Sequence, residues 1–327
     1  MARLLIGSSL RRVVERWPVI HRCIWAVEAG LFGVFLFICW CLPLSAAQAL
    51  AGGIMSRVGP RQGKHRHVER NLRIAFAGLT ETEREALGRS LWGNVGKVFA
   101  EYVHLFRVRR AVAQRVEVRG GERLEALARQ NRAAVFVTAH VGNWEISGCV
   151  VHAAGLNLSV VYTPLQNPYL DWLVVRCRRA HSSGLLARED SVRPMIREIA
   201  ARRCIGVVMD QRVDSGVPVP LFGVDKMTTV IPARLALRHG VDLLPLRTER
   251  LAGGRFRVTI CPPVRAVNTG ASREAQVLDM TGQINALFEA WIGERPEDWF
   301  VTNRVWPKDA EPAAGAAKLA EPAPRPA

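Results

Sequence analysis

The stretch VFVTAHVGNWEISG, Val135 to Gly148, governs how the rest of the chain is read. An apolar, β-branched run stops at a histidine, and a glutamate follows five residues later with Gly, Asn and Trp between them. A short apolar run of this kind reads as a buried strand. Residues just past the carboxyl end of such a strand lie where open α/β sheets build their sites. Gly142 allows a tight turn there, and Asn143 suits the cap of a following helix. Glu145 is then expected in the first helical turn, where its carboxylate reaches one nitrogen of His140 and fixes the tautomer. The other nitrogen is left to take a proton. This pattern is the base and orienter of a triad without a protein nucleophile. No Ser or Cys stands in a G-x-S-x-G elbow, so the attacking group would be a substrate hydroxyl. On spacing alone a capped, structural histidine is the commoner case, and both readings stand at this point. The metal-binding helix pattern H-E-x-x-H is absent.

Outward from this stretch the pattern alternates. Ala133–Ala139, Leu158–Tyr162, Ile205–Met209 and Val241–Leu246 read as buried strands, and FRVTICPPV from Phe256 as another. Trp144–Ala154, Pro168–Ala180, Ser191–Arg202 and Ile231–His239 read as helices between them, with a long amphipathic helix from Arg273. Strand–helix alternation predicts an α/β sheet with helices on its faces. Upstream, Thr80 to Glu83 forms a capping-box pattern opening a helix to about Phe106. The segment from Arg61 to Leu79 reads as a basic amphipathic helix with Val68, Leu72, Ala75 and Phe76 on one face.

The 327 residues carry a formal net charge of +16, which points to an anionic partner, either nucleic acid or a membrane surface. No nucleic-acid motif accompanies the charge. An apolar run from Ala29 to Leu50 is long enough to cross or nearly cross a bilayer, and it favours the membrane. We read residues 1–21 as a basic N-terminal segment and 22–54 as a membrane-anchoring helix. Residues 55–307 form the catalytic domain, and 308–327 are a disordered Ala/Pro-rich tail. The seven scattered cysteines show no CxxC pair and read as reduced thiols.

Several segments together carry a family resemblance. TAHVGNWEISG resembles the H-x-G-N-W-E signature of the bacterial lipid A biosynthesis (lauroyl/myristoyl) acyltransferases, within the wider lysophospholipid acyltransferase superfamily. YTPLQNPYLDWLVVRCRR, VVMDQR and VPLFGVDKMTTVIPARLALRHGVDLLPL are similar to further family segments, in family order, over roughly residues 66–306. The resemblance implies an acyltransferase-type mixed sheet flanked by helices. It also implies transfer of a fatty acyl chain from an acyl carrier protein thioester to a hydroxyl of a lipid A precursor. His140 would be the general base and Glu145 its orienting carboxylate. Arg178, Asp210, Gln211 and Asn143 are the candidate substrate-binding residues, with Arg179 or Arg176 as the alternatives to Arg178 because a short insertion blurs the register there. No metal and no cofactor is implied, and the location would be the cytoplasmic face of the bacterial inner membrane. Two departures touch the acceptor: where the family has W-x-x-H-R-R-W/F, this chain has WFVTNRVW, with Asn303 and Val305 in place of a His and an Arg. Other readings are an acyltransferase for another lipid acceptor (a lysophospholipid, an ornithine lipid or a glycolipid), a non-catalytic protein that binds anionic lipid, and a metal-dependent hydrolase.

Overall fold

A computed structural model of the chain describes residues 18–313. The expected N-terminal basic segment and terminal tail lie largely outside the described residues. Helix α1 runs over Pro18–Cys41 and α2 over Leu44–Val58. The single anchor helix expected over 22–54 is therefore two helices, broken at Leu42 and Pro43. Proline has no N–H to continue the ladder, and it disfavours helical backbone in the residue before it. Helix α3 covers His65–Ala75, with Val68, Leu72 and Ala75 buried as the amphipathic pattern requires. Helix α4 covers Glu81–Tyr102 and opens on the expected capping box. Thr80 Oγ1 accepts from the Glu83 amide at 3.3 Å, and the Thr80 amide donates to Glu83 Oε2 at 2.8 Å. The helix ends at Tyr102 rather than near Phe106, and the chain restarts in α5, Leu105–Arg110, and α6, Val112–Arg115.

Strands and helices then alternate: β1 Val116–Arg119, α7 Gly121–Arg129, β2 Ala134–Thr138, α8 Glu145–Ala153, β3 Leu158–Tyr162, α9 Pro168–Arg178, β4 Gly184–Ala187, α10 Val192–Ala200 and β5 Cys204–Val208. A hairpin of β6, Val217–Leu221, and β7, Val224–Thr228, follows. The chain closes with α11 Ile231–His239, β8 Asp242–Leu251, β9 Arg255–Ile260 and α12 Arg273–Glu294. Strands β1, β4, β6 and β7 are not expected from the sequence pattern. Two of these are only four residues long, and the prolines in VPVPL argue against a strand. The two-stranded hairpin accommodates them.

Seven strands form one mixed sheet in the order β1-β9-β8-β2-β5-β3-β4. The five from β8 to β4 are parallel, and β9 pairs antiparallel with β8. Strand β2 lies inside the sheet, and alternate residues face two separate cores. Val135 and Val137 pack into one with α10, α11 and α12, and Ala134 and Phe136 pack into the other with α7 and α8. Burial on both faces explains why this strand reads as a continuous apolar run. The seven cysteines are all unpaired.

Candidate active site

Strands β2 and β5 pair in parallel with a constant offset of 70 residues, Val135 opposite Ile205 and Thr138 opposite Val208. The same offset carried two residues past the strand ends puts His140 opposite Asp210. The Asp210 Oδ1 lies 2.6 Å from His140 Nδ1. His140 and Asp210 therefore meet at the carboxyl edge of the sheet. Glu145, expected to reach the histidine, makes no hydrogen bond or ion pair with His140 among the described residues; Asp210 stands in that place. The reason is direction: Glu145 opens α8, and its side chain turns inward beneath the strand end, toward α4 and α9.

Asp210 is fully buried. Its second oxygen, Oδ2, accepts from the Trp299 indole N–H at 3.0 Å. Burial pushes the Asp210 carboxyl up, but His140, Lys226 and the indole donor outweigh that and hold it below its ordinary value. An ionised Asp210 fixes the proton of His140 on Nδ1 and leaves Nε2, which has no partner among the described residues, as the basic nitrogen. The His140 side chain is 17% exposed. Its ring meets Trp144 edge to face at 4.5 Å, and Phe300 lies 6.4 Å away. The His140 carbonyl accepts from the Phe300 amide at 2.7 Å, so the segment after α12 is stitched to the strand end.

Glu145 instead anchors a buried network. Its Oε1 accepts from Tyr102 Oη at 2.6 Å and from Arg178 Nε and Nη2 at 2.9 and 2.8 Å, and its Oε2 lies 2.7 Å from His181 Nε2. Burial pushes the Glu145 carboxyl up, but Arg178 and His181 outweigh it and hold the carboxyl well below the usual carboxylate range. Burial opposes the Arg178 charge, and Glu145 more than restores it. Arg178 thus arrives at the site with Nε and Nη2 engaged; its Nη1 has no partner among the described residues. Of the three arginines in this run, Arg178 is the one that pairs with Glu145 among the described residues.

Asn143 is fully buried. Its Oδ1 accepts from the Glu145 amide at 3.1 Å, the cap expected of it, and its Nδ2 donates to Glu101 Oε2 at 2.8 Å. One donor and one acceptor of the Asn143 amide are thus engaged by protein. Gly142 adopts φ +60°, and a Cβ there would lie 2.4 Å from the Thr248 carbonyl, so the expected tight turn needs glycine. Gln211 sits half-buried beside Asp210, with no side-chain partner among the described residues.

A second buried ion pair supports the turn. Arg250 clamps Glu101 with Nε at 2.5 Å and Nη2 at 2.9 Å, and its Nη2 also reaches the Gly142 carbonyl at 3.2 Å. The sequence reading names none of Tyr102, His181, Trp299, Lys226, Glu101 and Arg250 as site residues. Tyr102 reads as one more apolar position on a helical face. Lys226 carries a signal, because in VDKMT it shares its strand face with Val224 and Thr228 under period-two alternation.

A model of the family described as bacterial lipid A biosynthesis acyltransferase matches residues 16–308. The chain belongs to that family. It is 22% identical over 288 residues to a lipid A biosynthesis acyltransferase of Haemophilus influenzae, covering 86% of this chain and 88% of the relative. To the lipid A biosynthesis myristoyltransferase of Escherichia coli K12 it is 24% identical over 258 residues, 75% of this chain and 76% of that one. To the lauroyltransferase of the same organism it is 27% identical over 201 residues, 60% and 65% respectively. Family membership makes the chain an O-acyltransferase, and the match extends over the strand end that carries His140 and Asp210.

Proposed function

We propose that this acyltransferase moves a fatty acyl chain from an acyl carrier protein thioester to a hydroxyl of a lipid A precursor, with His140 as general base. The observation that carries the reading is the 2.6 Å contact of Asp210 with His140 Nδ1, which leaves Nε2 free to take the hydroxyl proton. As Nε2 accepts the proton, the oxygen attacks the thioester carbonyl and a C–O bond forms. Collapse of the tetrahedral intermediate breaks the C–S bond, and the thiolate leaves with the proton returned from His140. Asp210, kept ionised, stabilises the imidazolium that forms between the two steps. Glu145 does not touch the base; it holds Arg178, whose free Nη1 is the candidate contact for an acceptor phosphate or for developing oxyanion charge. Replacing His140 by Ala should reduce transfer at least about a thousandfold without shifting Tm. Retained turnover in a folded variant overturns the reading. Another lipid acceptor is the second reading, on one observation: Asn303, which stands where the family pattern has a cationic residue, is exposed. Lipid A precursor and lysophospholipid offered side by side distinguish the two.

The membrane part of the proposal rests on α1. Over Val19–Cys41 it is long and apolar enough to cross a bilayer. However, Asn167 Nδ2 donates to the Trp25 carbonyl and to Glu28 near one end, at 3.0 and 2.9 Å. Near the other end the Cys39 carbonyl meets His104 Nε2 and the Trp40 carbonyl meets Arg107, both at 3.0 Å. These two anchor points are about 22 Å apart along the helix, against a hydrocarbon core of about 30 Å. A perpendicular span would carry one set of polar groups into the hydrocarbon. We read α1 as lying in the plane of the leaflet, with its exposed face (Val27, Leu31, Val34, Phe37) in the lipid. Impermeant thiol labelling of the two ends of α1 tests this.

A further inference from the structure

Lys226 is the largest charged side chain fully buried in the described residues, and the proposed chemistry gives it no step. It lies on β7, opposite Val219 in the hairpin that covers the carboxyl end of β5. Its Nζ donates to the carbonyls of Met209 and Asp210 at 3.1 Å each, and Asn285 Oδ1 stands 3.5 Å away on α12. Three acceptors for three ammonium hydrogens is a complete set. Asn285 is itself held by the Pro220 carbonyl at 3.0 Å, and Thr228 Oγ1 donates to the Lys226 carbonyl at 2.9 Å. A buried ammonium is costly unless it is compensated, and an apolar side chain of similar length could fill the same space. What the charge adds is a grip on the two carbonyls that precede and belong to Asp210, and a positive potential beside its carboxylate.

We propose that Lys226 is a positioning residue for the transfer reaction: by pinning the Met209 and Asp210 carbonyls it aims the Asp210 carboxylate at His140, and its charge lowers the basicity of the pair. The inference rests on the reading of His140 as the base. The groups facing Asp210 are His140 from beyond β2, Trp299 from beyond α12 and Lys226 from β7; Lys226 is thus the cation of the set that no proton transfer consumes. Burial lowers the Lys226 ammonium to about 8, with Asp210 opposing the shift, so it is charged through the neutral range. A positive charge there disfavours the imidazolium. Removing it should therefore move the acid limb of the rate profile upward.

The test is the pH profile of kcat/KM in the full-length enzyme, with the acyl thioester and lipid acceptor, for Lys226→Met and Lys226→Arg. Lys226→Met should move the acid limb upward by about half a pH unit or more and lower kcat about tenfold, with KM held. Lys226→Arg, which keeps the charge, should leave the limb near its original position. In an Asp210→Asn background, Lys226→Met should no longer lower kcat further, because the carboxylate it positions is already gone, while the direct effect of its charge on the limb persists. A folded Lys226→Met whose acid limb coincides with the parent's, or one that lowers kcat equally with and without Asp210, overturns the proposal and leaves Lys226 as packing. If Lys226→Met does not fold, Lys226→Gln, which keeps a donor without charge, carries the same comparison. His140→Ala run alongside separates the two failures: turnover in that variant overturns the base assignment, whereas an inactive His140→Ala with an unmoved Lys226→Met limb overturns only the role of Lys226.

Discussion

The glutamate of HVGNWE belongs to a buried ion pair, and that changes what its loss should do. Glu145 is 3% exposed and faces Arg178 and His181. Removing one partner of such a pair leaves an uncompensated charge and costs about 3–5 kcal/mol. Glu145→Gln should therefore show a large fall in Tm at pH 7, along with loss of activity. The pH dependence has a definite sign. The folded-state value of Glu145 lies below its unfolded value of about 4.3, so its stabilisation is present above that pH and is lost progressively as pH falls below it toward the folded-state value. The Tm gap between parent and Glu145→Gln should shrink as pH is lowered below about 4, read by circular dichroism. A gap that stays constant would assign the effect to packing rather than to charge. Asp210 is the opposite case: its sequence context, a strand ending in Asp, says only that it stands at a sheet edge, and the β2–β5 register makes it the partner of His140.

At the scale of elements, the contact that fixes the site's floor is the crossing of α2 over α4. A Cβ built on Gly96 would lie 2.2 Å from the Ala51 carbonyl oxygen, so the two helix backbones touch there. Gly96→Ala must push them apart, at a cost of about 1–3 kcal/mol. The displaced α4 also carries Glu101 and Tyr102, which anchor the Arg250 and Glu145 networks. Lower Tm and lower activity should therefore fall together. Gly33→Ala on α1, where a Cβ meets nothing within 4 Å, is the control and should be neutral or slightly stabilising. Equal effects from the two would sink the argument from close approach. The break between α1 and α2 belongs to the same scale. A hydropathy run from Ala29 to Leu50 reads as one helix, because apolar composition does not register that Pro43 interrupts the backbone ladder.

For the whole molecule, the in-plane placement of α1 makes a topological prediction. In sealed proteoliposomes of phosphatidylethanolamine with a minority of phosphatidylglycerol, single cysteines placed at Arg22 and at Ser45, both exposed and Arg22 off the apolar face of α1, in a cysteine-free background should both react with an impermeant maleimide added on the side of the catalytic domain. If α1 spans, the Arg22 site is protected and only Ser45 reacts, which overturns the placement. Failure of the protein to float with these vesicles would overturn the membrane reading itself. Phe32 of α1 meets Phe99 at 5.4 Å, Phe99 meets Phe300 at 6.3 Å, and Phe300 lies 6.4 Å from His140, a line of aromatic rings from α1 to His140.

The sequence by itself determined the α/β alternation, the central strand, the position of His140 at its end, the tight turn at Gly142 and the cap at Asn143. Each of these is local: periodicity, glycine conformation and capping act within a few residues. Motif order along the chain also determined the family. Only the tertiary structure decided which carboxylate serves the histidine, because Asp210 reaches it through a 70-residue strand register while Glu145, five residues away, is turned by its helix toward Arg178. The same holds for Lys226, Trp299 and Arg250. Their neighbours come from distant strands and helices, and a buried polar side chain takes its meaning from the partners that satisfy it.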